Sequence, residues 1–200
     1  MAREIGISNI TLFPIQTENS TTITYDKSNK ISVPWAVNLE TTEEYAESEY
    51  YADNVVERSS KILSKLSVSM ELSSNTPPAL DAKITGKTYL KGMVFKDGSS
   101  TQPQFAIAYE IKMDDGNLRR RVIYKTTLAR TGQTNETVSD SVTAQTFTYE
   151  GTAGALLKNG RFDMIMDKKE IDALSGSDKT TATEAWNNFF TDVQGHSVTP

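Results

Sequence analysis

The sequence contains no cysteine and a single histidine, His196, among its 200 residues. The absence of cysteine excludes disulfide bonds, thiolate zinc sites and cysteine nucleophiles, and one histidine leaves little material for metal or triad chemistry. No run approaches the roughly 18 apolar residues of a membrane-spanning helix, and the first residues lack the layout of a cleaved secretory signal. We therefore expect a soluble protein, made in a cytoplasm, with no membrane partner.

Positive charge is in deficit, because 21 basic residues face 26 acidic ones and give a net charge of -5. This balance is opposite to that of a protein that grips nucleic acid. Phosphate-binding motifs of the GxxxxGK[ST] and GxGxxG kinds are absent, and the turn at Asp114 to Asn117 lacks the ligand spacing of an EF-hand calcium loop. No pair of carboxylates is singled out for glycoside hydrolysis. We expect no enzyme activity, no catalytic residue, no cofactor and no metal.

Serine and threonine supply 19 and 25 residues, and alternation of apolar and polar residues recurs along the chain. Both features favour β-strands. The alternation is clearest in these segments: 31–39, which contains Pro34; 66–72; and 105–113 joined by a turn at 114–117 to 122–128, a long hairpin. Weaker strands are predicted at 87–95, 138–150 and 161–166. The fold class predicted is mainly β, an antiparallel sandwich or barrel.

Two helical segments accompany the strands. The first runs from Pro77 to Ile84, capped by Thr76 and closed by Gly86. The second belongs to a C-terminal arm, residues 167–200, where Asp167 and Glu170 resemble a capping box. Trp186, Phe189, Phe190 and Val193 follow at helical spacing, with Gly195 as a stop. This arm packs either on its own sheet or on a neighbouring subunit, and the sequence leaves both open.

The densest charge in the chain is an acidic segment, residues 40–57, with no Lys or Arg until Arg58. Its acids are Glu40, Glu43, Glu44, Glu47, Glu49, Asp53 and Glu57. Repulsion among them predicts an extended, exposed loop. A solvated loop is one interpretation. The embedded Tyr45, Tyr50 and Tyr51 favour contact with a partner. The basic clusters at 119–121 and 168–169 could form ion pairs with the acids of this segment across such an interface.

The order of these features resembles a known family. Four features carry this resemblance: the opening Ala2-Arg3-Glu4-Ile5-Gly6-Ile7, the motif Tyr51-Ala52-Asp53-Asn54, the helix closing on Gly86, and the hairpin ending in Arg121-Val122-Ile123-Tyr124-Lys125. Through these features the chain resembles the major tail protein of long, noncontractile phage tails, particularly of phages that infect Gram-positive hosts. The similarity covers most of residues 1–166.

The resemblance implies a tail tube protein: a β-sandwich with a flanking helix, assembled as hexameric rings that stack into the conduit for DNA ejection. It implies a virion protein assembled in the host cytoplasm, whose neighbours are the tape measure, tail terminator and distal tail proteins. Residues 1–166 would be the tube domain. Three segments would join subunits and rings: the N-terminal arm 2–15, the acidic loop 40–57 with Tyr50, Tyr51 and Asn54, and the C-terminal arm with Trp186, Phe189 and Phe190.

A tube that passes DNA without binding it needs a wall that repels phosphates. Glu71 and Glu110, on strands with Ser and Thr neighbours, are the candidate acids of that lumen. The alternative function is a β-sandwich module that binds carbohydrate or a surface, with Trp35, Tyr45, Tyr50 and Tyr51 as a stacking platform. A hydrolase is a third possibility that no residue pattern favours.

Overall fold

The structure is a computed structural model that describes residues 2–52, 55–73, 76–98, 100–131 and 146–197, with the backbone alone at 49–52 and 55–58. Its strands are β1 Glu4–Glu18, β2 Ile23–Tyr25, β3 Ile31–Ser32, β4 Ala36–Ala52, β5 Val55–Leu72, β6 Thr88–Leu90, β7 Met93–Phe95, β8 Gln104–Met113, β9 Leu118–Arg130, β10 Phe147–Ala153 and β11 Asp163–Asp167. Its helices are α1 Pro78–Thr85, α2 Lys168–Ala173 and α3 Gly176–Asn187.

One antiparallel sheet contains most of these strands, in the order β2-β1-β8-β9-β10-β5-β4. β3 pairs with β1, β11 pairs with β9, and β6 with β7 forms a separate small hairpin. The sheet curls far enough that β1 also contacts β4, the strand at its opposite edge. The predicted class, mainly β and antiparallel with sandwich-like layers, is confirmed.

Two apolar clusters cover the two faces of the central strands. The inner cluster takes alternate residues of β5, among them Leu66, Val68, Met70 and Leu72, with Ile84 of α1. The second cluster lies on the other face of β1, β8 and β9 and is closed by the C-terminal arm. Each fully buried side chain of this size contributes about 1.5–3 kcal/mol, so both faces of β8 stabilise the fold.

The strongest sequence patterns form the expected elements. β8 and β9 are the predicted long hairpin, turning through Asp114 to Asn117 with Gly116 at φ 82°. The predicted first helix is α1, and Gly86 ends it in the left-handed conformation. Thr76 does not cap it, because Pro77 occupies the N-cap and no side chain bonds there. β4 is an edge strand of the sheet, as Pro34 just before it indicates.

The N-terminal arm predicted at residues 2–15 is not a separate arm. Glu4–Glu18 form β1, which lies between β2 and β8 inside the sheet. The physical reason is apolar content, since Ile10, Leu12 and Phe13 are fully buried on its two faces. Residues 10–13 are therefore held in the core of their own subunit.

The C-terminal arm packs on its own sheet. Asp167 caps α2 by accepting from the amides of Lys169 and Glu170, as the capping box predicts. α3 ends at Asn187, so Phe189, Phe190 and Val193 lie beyond the helix and not within it. Two consecutive asparagines at 187 and 188 favour this early end, because asparagine competes for backbone hydrogen bonds.

Candidate functional site

A two-stranded ribbon, formed by the outer parts of β4 and β5, projects beyond the main sheet. β10 supports β5 only from Leu66 to Leu72, whereas β4 pairs with β5 as far as Ala52 and Val55. At about 3.3 Å per residue, the unsupported ribbon is roughly 30 Å long. The prediction of a loop over 40–57 is therefore wrong for the described residues, since 40–52 lie on β4 and 55–57 on β5.

Cations on β5 explain why the acidic segment forms a strand. Lys65 Nζ lies 3.0 Å from Glu44 Oε2, and Lys61 Nζ lies 2.5 Å from Glu47 Oε1. Ser67 also donates to Glu44, and this hydrogen bond and Lys65 together lower the pKa of that carboxyl. The opposing strand thus relieves part of the repulsion that the sequence of β4 alone would suffer.

The ribbon contains most of the predicted contact residues. Side chains are described for Glu40, Glu43, Glu44 and Glu47, and Glu43 accepts a hydrogen bond from the Tyr45 phenol, which raises the pKa of that phenol. For Glu49, Tyr50, Tyr51 and Glu57 only the strand backbone is described, and Asp53 and Asn54 lie outside the described residues.

An isolated two-stranded ribbon is only marginally stable in water. This one leaves Tyr45 51% and Ile62 67% exposed, among charged neighbours. It is also the edge of the sheet, so β4 presents backbone groups that β5 does not pair. Contact with another surface would therefore stabilise the ribbon.

One face of the sheet at the base of the ribbon is polar and acidic. A shallow depression of about 620 Å³ lies there, lined by residues of β4, β5, β9 and β10: Glu40, Thr42, Ser67, Val68, Ser69, Ala129, Thr131, Glu150, Gly151 and Thr152. Its charged lining residues, Glu40 and Glu150, are both acidic. The lining offers hydroxyl groups and carboxylates to water and no cation to a polyanion.

The two predicted lumen acids occupy different environments. Glu71 alternates with buried Met70 and Leu72, so it lies on the same side of β5 as Ser67 and Ser69, the acidic polar face. Glu110 is buried, and the prediction that it lines an open wall is wrong for the folded chain. Its carboxylate accepts from Arg120, whose Nη2 lies 2.9 Å from Oε2 and whose Nη1 donates to the Trp186 carbonyl oxygen of the C-terminal arm.

Arg120 fastens the C-terminal arm. Its guanidinium carbon lies 4.1 Å from the centroid of the Trp186 ring and 4.9 Å from that of Phe190, and Nη1 donates to the Trp186 carbonyl oxygen. Phe189 is buried in the second apolar cluster. The predicted aromatic residues of the arm are thus brought together by a cation that Glu110 holds in place.

The arginine cluster at 119–121 is used inside the subunit. Arg119 pairs with Asp167, Arg120 with Glu110 and Arg121 with Asp163, with N to O distances of 2.6–2.9 Å. These arginines are therefore not available to pair with acids of a neighbouring subunit, because carboxylates of the same subunit already balance their charges. Sequence spacing could not reveal this, since the partners lie on β8 and β11.

No known protein family matches the chain, and no match is found among curated proteins. Within the described ranges no group of three or more His, Asp or Glu could hold a metal ion, and the helices are too short or too polar to cross a membrane. Trp35 and Tyr45 are both exposed, but ten residues of extended chain separate them by roughly 33 Å, too far for one sugar ring to stack on both.

Proposed function

We propose that this protein is a structural subunit that associates with copies of itself into stacked hexameric rings, the tail tube of a long-tailed phage. The observation that carries the proposal is the ribbon of β4 and β5, which projects about 30 Å from the sheet with exposed Tyr45 and Ile62. A projection of this length reaches well into a neighbouring subunit. The resemblance of the sequence to major tail proteins supports the same role.

The acidic polar face supports a role as the wall of a DNA conduit. Glu40 and Glu150 lie there among Ser and Thr side chains, Glu71 lies on the same side of β5 as Ser67 and Ser69, and each subunit carries a net charge of -5. A cation on such a wall would neutralise phosphates, release counterions and hold the DNA in place. Carboxylates instead repel phosphates over the screening length of about 8 Å, so the polymer stays hydrated and free to move.

The proposal places the protein in the virion tail, after assembly in the host cytoplasm. Its neighbours would be further copies along the tube, with tape measure, tail terminator and distal tail proteins at the lumen and the ends. No chemical step is required of any residue. The work of assembly comes from many weak contacts repeated around a ring, whose effects multiply when they form together.

A shortened ribbon tests the proposal. Residues 46–62 are replaced by Asn-Gly, which joins the paired residues Tyr45 and Leu63 through a two-residue hairpin turn. We expect the wild type to form rings or tubes at high concentration by electron microscopy. We expect the shortened chain to keep its circular dichroism spectrum and cooperative melting, since Leu66–Leu72 remain paired with β10, but to form no stacks.

Three outcomes would overturn the proposal. The first is a wild type that stays monomeric at every concentration, above all one that binds a glycan. The second is a shortened chain that forms normal tubes. The third is a cryo-electron map of the tube in which Glu40, Glu71 and Glu150 lie on the outer wall.

A further inference from the structure

We infer that the surface formed by α1 and the hairpin of β6 and β7, residues 76–98, is the docking site for the acidic ribbon of a second copy of this chain. We call it the lysine surface. The inference rests on the proposed function and assigns the partner of the ribbon, for which the arginines at 119–121 are not available.

The ribbon and the lysine surface lie at opposite ends of one strand. β5 begins at the ribbon tip with Val55 and ends at Leu72, and α1 begins at Pro78 shortly afterwards. An 18-residue strand at about 3.3 Å per residue separates the two ends by roughly 60 Å. A contact between the tip of one copy and the far end of the next is heterologous, and repetition of such a contact builds a stack or filament.

Positive charge collects on the lysine surface. Lys83, Lys91 and Lys96 are exposed and form no ion pair within the described residues. The two acids of the same segment are engaged locally. Asp97 accepts from Thr88, and Asp81 accepts from Lys87 at 2.9 Å. With four lysines against two aspartates, the segment 76–98 carries a net charge of +2.

A cavity beneath the hairpin adds to this charge. It has a volume of about 720 Å³, and its charged lining residues are Lys87, Lys96, Arg130 and the single acid Asp81. Asp81 also accepts from the buried Tyr149 phenol at 2.8 Å, so its acceptor capacity is already shared. The cavity keeps an excess of positive charge.

Arg130 is short of acceptors. Its Nη1 lies 4.0 Å from Asp81 Oδ1, its guanidinium stacks on Phe147 at 4.6 Å, and its Nε and Nη2 are buried with no hydrogen-bond partner in the described part of the chain. Guanidinium groups in protein interiors normally have their donors satisfied. Arg130 therefore contributes to the positive charge of the cavity.

Apolar groups complete the match. β6 and β7 leave Leu90 53%, Met93 50% and Phe95 43% exposed, an unusual concentration for a hairpin of three-residue strands. The ribbon offers Tyr45 and Ile62, also exposed, among its glutamates. Contact between the two surfaces buries apolar side chains on both sides and brings unpaired lysines to excess acids.

A charge-exchange experiment tests the assignment. The lysine-surface variant is K83E/K91E/K96E, and the ribbon variant is E43K/E47K. A control, K112E/K158E, reverses the charge of two exposed lysines outside both surfaces. Circular dichroism and thermal melting establish that each variant folds. Light scattering and electron microscopy then measure the concentration at which tubes form, at low salt where surface charge is least screened.

We expect each of the two variants to need at least about a tenfold higher concentration than the control, since like charges then face one another. An equimolar mixture of the two should assemble, because the lysine ribbon of one meets the glutamate surface of the other. The inference is overturned if the lysine-surface variant assembles at the same concentration as the control. It is also overturned if the lysine-surface and ribbon variants both fold but form no tubes when they are mixed. Wild-type DNA binding that the lysine substitutions abolish overturns it as well.

These failures are distinguishable from failure of the proposed function. A wild type that never assembles removes both proposals together. A wild type that forms tubes, alongside a K83E/K91E/K96E variant that forms them equally well, removes only the docking site and leaves the tube intact.

Discussion

Arg120 should be among the most costly polar side chains to remove. Its pair with Glu110 is buried, with the two side chains 16% and 9% exposed, and it also donates to the carbonyl of Trp186. Removing one member of a buried pair costs about 3–5 kcal/mol, because the other charge is left uncompensated. Loss of the stacking on Trp186 adds about 1 kcal/mol. For R120A we therefore expect a loss of about 4–6 kcal/mol, a large part of the roughly 5–15 kcal/mol typical of whole proteins.

Urea unfolding followed by tryptophan fluorescence and far-ultraviolet circular dichroism measures this loss. The matched control is K168A, because Lys168 and Asp172 form an exposed pair one helical turn apart whose removal costs about 0.3–0.5 kcal/mol. The double variant E110A/R120A should be less destabilised than the two single losses together, since neither charge is then left alone. A loss in R120A below about 1 kcal/mol, similar to the control, would refute the reasoning.

Two further perturbations probe the packing and the pH response. A Cβ at Gly151 would lie 1.7 Å from the Thr127 carbonyl oxygen, so G151A should destabilise the sheet by about 3 kcal/mol or more in chemical denaturation, whereas G154A, with open space around it, should be nearly neutral. Burial lowers the pKa of His196 below its ordinary 6.5, so the fold favours the neutral ring; the stability this gives is present above pH 6.5 and is lost as pH falls through the lowered pKa. The melting temperature should fall between pH 7.5 and 5, and H196N should show a smaller fall; an equal fall in both chains would contradict the assignment.

Periodicity predicted the parts of the fold in which local and tertiary preferences agree. The hairpin of β8 and β9 and the helix α1 both have turn or cap residues at their ends, Gly116 and Gly86, and those glycines adopt the positive φ that each end requires. The edge position of β4 is consistent with Pro34. In each case the residues that decide the structure lie within a few positions of one another.

The candidate site was harder to predict because its determinants are distant in sequence. The acids of the ribbon predict a loop when β4 is considered alone, because the lysines that pair with Glu44 and Glu47 lie on the next strand. Glu110 alternates like a wall residue, but Arg120 and the C-terminal arm bury it. Part of the lysine surface is visible in the sequence, as four lysines between residues 83 and 96. Arg130 is distant in the sequence and lies beside these lysines only in the folded chain.

The position of β1 constrains how the chain is made. β2 and β3 pair with it soon after it is made, but its partner on the other side, β8, ends at Met113 and follows only after about a hundred residues of synthesis. Contacts this distant along the chain slow folding and leave apolar strands uncovered meanwhile. Nascent subunits therefore keep one edge of β1 open to pairing with other chains until β8 has been made.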